Sequence, residues 1–314
     1  MSLLLLGSWA PHGAEARHWA QVLREALPGE EWLLEPPSST AQAAEVEVAI
    51  VANPPHGSLA ELPSLRLIQS LWAGVDKLLT DPALPADVPV ARMVDPAMNE
   101  AMVQTALWAV LALHRGFFGV QAQQRERVWR QPAQCRAAEW RVLVLGLGEL
   151  GGRVAQTLAG LDYSVQGWSR SPHGVEGVDC CHGAALDAAL GQADTVINLL
   201  PLTPATQGFF DARRFAQFKR GGALVNLARG AHVVESDLLA ALDSGALAHA
   251  VLDVFAHEPL PPRHAFWGHE RVTVLPHTAA QTDPRSAAEV VAANLRALRA
   301  GQPVQHLVDR GAGY

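Results

Sequence analysis

The sequence predicts an α/β chain of two domains, one of them a doubly wound parallel sheet, and three observations carry the prediction. A short apolar run, Val142–Leu145, is followed at once by Gly146, Gly148 and Gly151 in G-x-G-x-x-G spacing, and Val154, Leu158 and Leu161 continue at helical spacing. Strand-like and helix-like segments alternate along most of the chain. A length of 314 residues corresponds to about two domains.

The order of the glycines has a physical reason. Gly146 permits the tight turn out of the strand, Gly148 lets a pyrophosphate approach the backbone, and Gly151 lets the next helix lie close to the sheet. Glu149 and Leu150 open that helix, whose free N–H groups would face the phosphates. Strand, turn and helix in this order point to a dinucleotide site.

Residues 1–98 precede the motif. Leu3–Leu6, Trp32–Leu34, Val46–Val51 and Leu65–Ser70 read as strands and His12–Leu27 as an amphipathic helix, punctuated by Pro36-Pro37, Pro54-Pro55, Pro82, Pro85 and Pro89. This is a small α/β domain without a phosphate loop. Its fourth strand runs into Trp72-Ala73-Gly74-Val75, where exposed N–H groups can hold a carboxylate, a plain strand-to-helix turn being the alternative.

Asn99–Phe118 is apolar on nearly every face, which predicts a helix buried between domains or at a subunit contact. Gln121–Gln134 is polar and expected to be solvated. Strand candidates then recur at 142–145, 163–168, 194–200, 222–227, 248–253 and 272–275. The residues after Ala280 supply one helix, Pro284–Ala300, and a tail, too little for a third domain, so they are expected to pack back on one of the first two.

Composition excludes several classes. Hydrophobic content of 49% with 18% charged residues is that of a globular protein, and a net charge of −7 argues against a nucleic-acid or anionic-membrane surface. No run approaches the roughly 20 apolar residues of a membrane span. Leu3–Leu6 lacks a cationic lead and is too short for a signal core, so it reads as a core strand. Cys135, Cys180 and Cys181 form neither a zinc pattern nor an even disulfide set; no metal is expected, and inert thiols in a cytoplasmic protein are.

Past the second strand of the glycine-containing domain come Ser169, Arg170 and Ser171, where an NAD-preferring fold places a carboxylate for the ribose 2′-hydroxyl. An arginine flanked by hydroxyls would bind a 2′-phosphate instead, which favours NADP(H) over NAD(H); a solvated loop arginine is the bland alternative. Three further groups sit at predicted strand ends: Arg229 after Val225–Ala228, Glu258 before Pro259, and His277 after Pro276. Open α/β sheets bind ligands at such ends. An arginine for a carboxylate and carbonyl, a histidine for the proton and a carboxylate to hold the histidine are what reversible hydride transfer to a 2-oxo acid requires.

Taken together, Gly146–Gly151, Leu200-Pro-Leu-Thr-Pro-Ala-Thr206, Asn226–Gly230, Leu252-Asp-Val-Phe255 with Glu258-Pro259-Leu260, and Pro276-His277 resemble the D-isomer-specific 2-hydroxyacid dehydrogenases over nearly the whole chain. Trp168–Ser171, Leu227–Glu235 and the closing Val308–Tyr314 are similar to the glyoxylate/hydroxypyruvate reductase A branch. The resemblance implies two Rossmann-like domains: a dinucleotide-binding domain, 99–280, inserted in a smaller flavodoxin-like substrate domain, 1–98 and 281–314. It implies catalysis by Arg229, Glu258 and His277, and substrate contacts from Arg229 and the Trp72–Val75 backbone. Asp253 would hold the nicotinamide carboxamide, with Leu200, Pro201, Thr206 and Ala228 along the cofactor. It further implies an NADPH-dependent reductase of small 2-oxo acids (glyoxylate, hydroxypyruvate), domains that close on substrate, and a homodimer supported by the long helix. A larger 2-oxo acid and a non-catalytic NAD(P) sensor are the alternatives. Three features depart from the wider family: Ala279-Ala280 replaces a glycine-containing turn, Arg263-His264-Ala265 a Ser-Pro-Leu type sequence, and bulky Trp72 a small residue.

Overall fold

The computed structural model describes residues 2–10 and 12–314. Its strands are β1 (Ser2–Gly7), β2 (Glu31–Leu33), β3 (Val46–Ala52), β4 (Leu67–Ser70), β5 (Val90–Ala91), β6 (Arg141–Leu145), β7 (Ser164–Ser169), β8 (Asp179–His182), β9 (Thr195–Asn198), β10 (Gly222–Asn226), β11 (Leu247–Leu252) and β12 (Val272–Val274). The longer helices are α1 (Ala14–Ala26), α2 (Pro96–His114), α3 (Phe117–Glu126), α4 (Glu149–Ala159), α5 (Glu235–Asp243) and α6 (Pro284–Arg299). The chain divides into two compact units, one running to Met98 and resumed at Thr282–Tyr314, the other Asn99–Gln281.

The first unit is a five-stranded parallel sheet in the order β2-β1-β3-β4-β5, the flavodoxin-like order. Alternation along each strand sends Leu3 and Leu5 with Val48 and Ile50 to one face, and Leu4 and Leu6 with Ala49 and Val51 to the other. Both faces are covered, which is why these strands read as unbroken apolar runs. The tail helix α6 belongs here because its Ala287, Ala288, Val291, Ala292 and Leu295 stripe meets Trp19, Ala20 and Leu23 of α1. Two buried polar residues fix it: Asp95 accepts from the Asp283 N–H at 2.9 Å and from Ser286 Oγ at 2.6 Å, and Asn294 Nδ2 donates to Gln69 Oε1 at 2.8 Å.

The second unit is a seven-stranded parallel sheet, β12-β11-β10-β9-β6-β7-β8, in which the strand order reverses between β6 and β9. Leu143, Val196, Leu224 and Leu252 pack on one face, and Val144, Ile197, Val225 and Val251 on the other. The strands β5 and β8 carry no readable periodicity in the sequence, one being two residues long and the other the polar edge segment Asp-Cys-Cys-His.

The helix expected over Asn99–Phe118 begins and ends earlier. Asp95 caps it by accepting from the Ala97 and Met98 N–H groups, with Pro96 in the first turn, and Gly116 at φ 68° breaks it before α3. Nor is every face buried: Trp108 and Leu111 of α2 are 43% and 39% exposed, and Phe117, Val120 and Val128 are exposed beyond it. The polar stretch from Gln121, expected to be solvated, is largely exposed and is helical to Glu126. Among the described residues no helix is long and apolar enough to cross a membrane.

Candidate active site

Because β10, β11 and β12 are adjacent and parallel, the loops leaving their C-terminal ends lie side by side. They carry Arg229, Glu258 and His277. His277 Nδ1 lies 2.7 Å from Glu258 Oε2, while the Phe255 N–H donates to Glu258 Oε1 at 2.9 Å. Each carboxylate oxygen therefore has its own partner. The bond to Glu258 raises the His277 pKa above its ordinary value against the opposing effects of burial and of the nearby Arg229 charge. With Nδ1 committed to Glu258, Nε2 is the nitrogen left to exchange a proton.

His277 adopts φ 53°, in the left-handed region that a non-glycine residue occupies only where its neighbours hold it. Asp253 does the holding. Its carbonyl accepts the His277 N–H at 2.9 Å, and its Oδ1 accepts the Thr278 and Ala279 N–H groups at 2.7 and 3.0 Å. Burial raises the Asp253 pKa, and these two donors oppose the rise. Gly230 sets the arginine beside the acid loop: a Cβ there would stand 1.9 Å from the Phe255 carbonyl carbon. Arg229 itself is half-buried, and its Nη1 donates to the Ala228 carbonyl at 2.8 Å.

The glycine turn fits a dinucleotide. Gly146 adopts φ 90° and a Cβ on it would meet the Leu199 carbonyl oxygen at 2.6 Å; one on Gly151 would meet the Gly146 carbonyl oxygen at 1.7 Å. A Cβ on Gly148, which caps α4, would meet nothing within 4 Å, so the approach to the helix N-terminus is open at the residue where a phosphate must come closest. Glu149 turns its carboxylate toward Arg153, 3.4 Å away, and Leu150 packs on the core below. Arg170 is exposed just past β7, with the Ser169 hydroxyl donating to the Ser171 carbonyl at 2.7 Å. Leu200 is buried, and the Thr206 hydroxyl donates to the Pro201 carbonyl at 2.7 Å, closing the loop after β9 on itself.

The expected carboxylate turn lies in the first unit. There the Trp72 N–H donates to Ser70 Oγ at 3.0 Å and the Trp72 carbonyl accepts from the Met93 N–H at 3.1 Å. Its ring stands edge-on to Trp19, 6.1 Å between centroids. Trp72 thus anchors the turn.

Two groups of residues escaped the sequence reading. A buried cluster of Asn198, Asn226 and His232 lies under the loops of Arg229 and Leu200; only the unusual burial of amides at strand ends, visible in Asn198 and Asn226 closing apolar runs, hinted at it. His264, in the departing Arg-His-Ala sequence, sits 3.1 Å from Glu235 of α5 and accepts the Phe266 N–H at Nδ1, tying the Glu258 loop to the helix that follows Arg229. Among the described residues no group of three or more acids, cysteines and histidines is placed to hold a metal ion.

Comparison with known proteins gives the family. The chain belongs to the D-isomer specific 2-hydroxyacid dehydrogenases: the family's NAD binding domain matches residues 107–279. It is 42% identical over 305 residues to glyoxylate/hydroxypyruvate reductase A of Serratia proteamaculans (strain 568), covering 95% of this chain and 96% of that one. Among solved structures it is similar to a D-isomer specific 2-hydroxyacid dehydrogenase from Xanthobacter autotrophicus Py2 in complex with NADPH and MES, at TM-score 0.93 and 40% identity over 100% of this chain and 99% of that one. The NADPH-dependent glyoxylate/hydroxypyruvate reductase of Sinorhizobium meliloti in complex with NADP and sulfate matches at TM-score 0.92 and 35% identity over 100% of both chains.

Proposed function

We propose that this chain is an NADPH-dependent reductase of small 2-oxo acids, converting glyoxylate to glycolate and hydroxypyruvate to D-glycerate. The observation that carries the reading is the 2.7 Å pairing of His277 with Glu258 beside Arg229, at the strand ends of a 2-hydroxyacid dehydrogenase fold. The relatives' activities and NADP complexes support the substrate class and the cofactor.

Arg229 neutralises the substrate carboxylate and polarises its carbonyl by charge-assisted hydrogen bonds. NADPH, when bound, supplies the hydride to the carbonyl carbon. His277 Nε2 gives its proton to the carbonyl oxygen as the C=O electron pair moves onto it, and Glu258 stabilises the imidazolium beforehand. Gly146–Gly151 hold the pyrophosphate, Arg170 with Ser169 and Ser171 hold the 2′-phosphate, and Leu200, Pro201, Thr206, Ala228 and Asp253 complete the cofactor site. The Ala73–Val75 N–H groups are a second carboxylate-binding element.

Two further assignments belong to this reading. The exposed apolar side chains of α2 and α3 with Trp129, which is 95% exposed, are covered by a second copy of the chain, giving a homodimer. The cytoplasm is the compartment, in keeping with Cys135, Cys180 and Cys181 as free thiols.

The deciding experiment is initial-rate oxidation of NADPH and, separately, NADH with glyoxylate, hydroxypyruvate, pyruvate and phenylpyruvate. Turnover of the first two with NADPH is expected. Higher kcat/KM on phenylpyruvate would overturn the small-acid assignment, and cofactor binding without turnover on any of them would overturn the enzyme. Sedimentation velocity tests the dimer, which a monomer at micromolar concentration would refute.

A further inference from the structure

Asn198, Asn226 and His232 are buried beneath the loops that leave β9 and β10. Burying that many polar atoms is costly unless each is satisfied, so a complete network in an otherwise apolar layer calls for a reason. Its hydrogen bonds can be assigned without ambiguity. Asn198 Oδ1 accepts the Leu200 N–H at 3.2 Å and Asn226 Oδ1 accepts the Ala228 N–H at 3.3 Å, and backbone donors of this kind fix both amides. Asn198 Nδ2 is then a donor to Asn226 Oδ1 and to His232 Nδ1, each at 2.9 Å. The ring must accept at Nδ1, carries its proton on Nε2, and donates it to the Pro201 carbonyl at 3.3 Å.

The two ends of this network are functional loops. Asn226 Nδ2 donates to the Arg229 carbonyl at 3.0 Å, and the His232 N–H to the same oxygen at 3.3 Å. At the other end the network grips Leu200 through its N–H and Pro201 through its carbonyl. Resting on the reductase reading, we propose that His232 is a positioning residue that couples the turn of Arg229 to the Leu199–Thr206 loop. The guanidinium that would bind substrate and the backbone that would follow the cofactor are thereby held in one register by the imidazole acting with the Asn198–Asn226 pair. A purely apolar residue would fill the same space and leave the Asn198–Asn226 bond to join the loops without the hold on Pro201.

The test is His232→Phe, which keeps a ring of similar size but leaves the second Asn198 N–H and the Pro201 carbonyl without their partner. His232→Gln keeps an NH2 donor able to reach Pro201 and leaves no acceptor at the position of Nδ1. Three quantities are read: KM for hydroxypyruvate, Kd for NADPH by fluorescence titration without substrate, and Tm. The phenylalanine variant is expected to raise both KM and Kd about tenfold, and the glutamine variant to recover Kd more than KM. KM and Kd both within about twofold of the parent in the phenylalanine variant, whatever its Tm, would overturn the coupling and leave a packing residue. Should the phenylalanine variant fail to fold, the glutamine variant decides: a raised KM with near-parent Kd supports the coupling, and two unchanged constants overturn it. Absence of turnover in the parent protein would strike the reductase reading instead, and the NADPH Kd comparison would still decide the coupling.

Discussion

Replacing Glu258 with glutamine tests the chemistry at its centre. The carboxylate accepts two donors, the Phe255 N–H on Oε1 at 2.9 Å and the His277 Nδ1 proton on Oε2 at 2.7 Å. An amide of the same shape has one acceptor oxygen. If that oxygen keeps Phe255, the NH2 faces Nδ1 and the imidazole moves to the neutral tautomer that accepts there. If it turns to His277, the Phe255 N–H loses its partner and the charge that stabilised the imidazolium is gone in either case. A hydrogen bond to a charged group contributes about 1.5–3 kcal/mol, and the lower end applies because the imidazole is 53% open to water. The expected loss is about tenfold in kcat/KM near neutral pH. The sign of the pH effect follows from the raised His277 pKa. Reduction needs the protonated ring, so its rate falls as pH rises through that pKa, and Glu258→Gln moves the fall to lower pH. The assay is the pH profile of kcat/KM for hydroxypyruvate. A midpoint that stays in place, or moves upward, would refute the role of Glu258.

Three other substitutions separate the cofactor's parts. Arg170→Ala is expected to raise the Kd for NADPH about tenfold while leaving that for NADH unchanged; an unchanged Kd for NADPH would make Arg170 a solvated loop residue, and equal rises in both would remove it from the 2′-phosphate. Gly148→Ala and Gly151→Ala should part company: the first adds a methyl to open space and weakens NADPH binding at near-parent Tm. The second places a Cβ 1.7 Å from the Gly146 carbonyl oxygen and lowers Tm. Thermal melts with and without NADPH read both.

How much of this was legible in the sequence depends on what sets each feature. Apolar runs buried on both faces, such as Val142–Leu145 and Val46–Val51, announce themselves because they are short and bounded by turn residues. The glycine turn is equally plain, since each glycine answers a backbone clash. The start of α2 was missed although Asp95-Pro96 is a cap followed by a first-turn proline; the apolar pattern begins later and outweighed it. The strands β5 and β8 carry no periodicity to read. At the site, Arg229, Glu258 and His277 were visible as polar residues ending apolar strands. The Asn198–His232 pair was not, because a bond between residues 34 apart depends on β9 lying next to β10. Trp72 reads in the sequence only as a bulky departure; that its ring packs on Trp19 and its N–H binds Ser70 depends on how the turn folds.

Asp253 holds the His277 loop in the structure and receives the carboxamide in the proposed function, and one substitution can pull the two apart. Its Oδ1 already takes both backbone donors that hold His277 in the left-handed region, leaving Oδ2 as the oxygen able to receive the carboxamide of a nicotinamide. Asp253→Asn can keep Oδ1 where it is, so the His277 loop and Tm stay near those of the parent. Its NH2 then stands where Oδ2 was, facing a donor with a donor, and the Kd for NADPH rises about tenfold. Asp253→Ala removes both oxygens: Tm falls, and the rate falls with it because the histidine loop loses the two bonds that oppose its backbone strain. An asparagine variant that binds NADPH as tightly as the parent would confine Asp253 to the loop and remove it from the cofactor site.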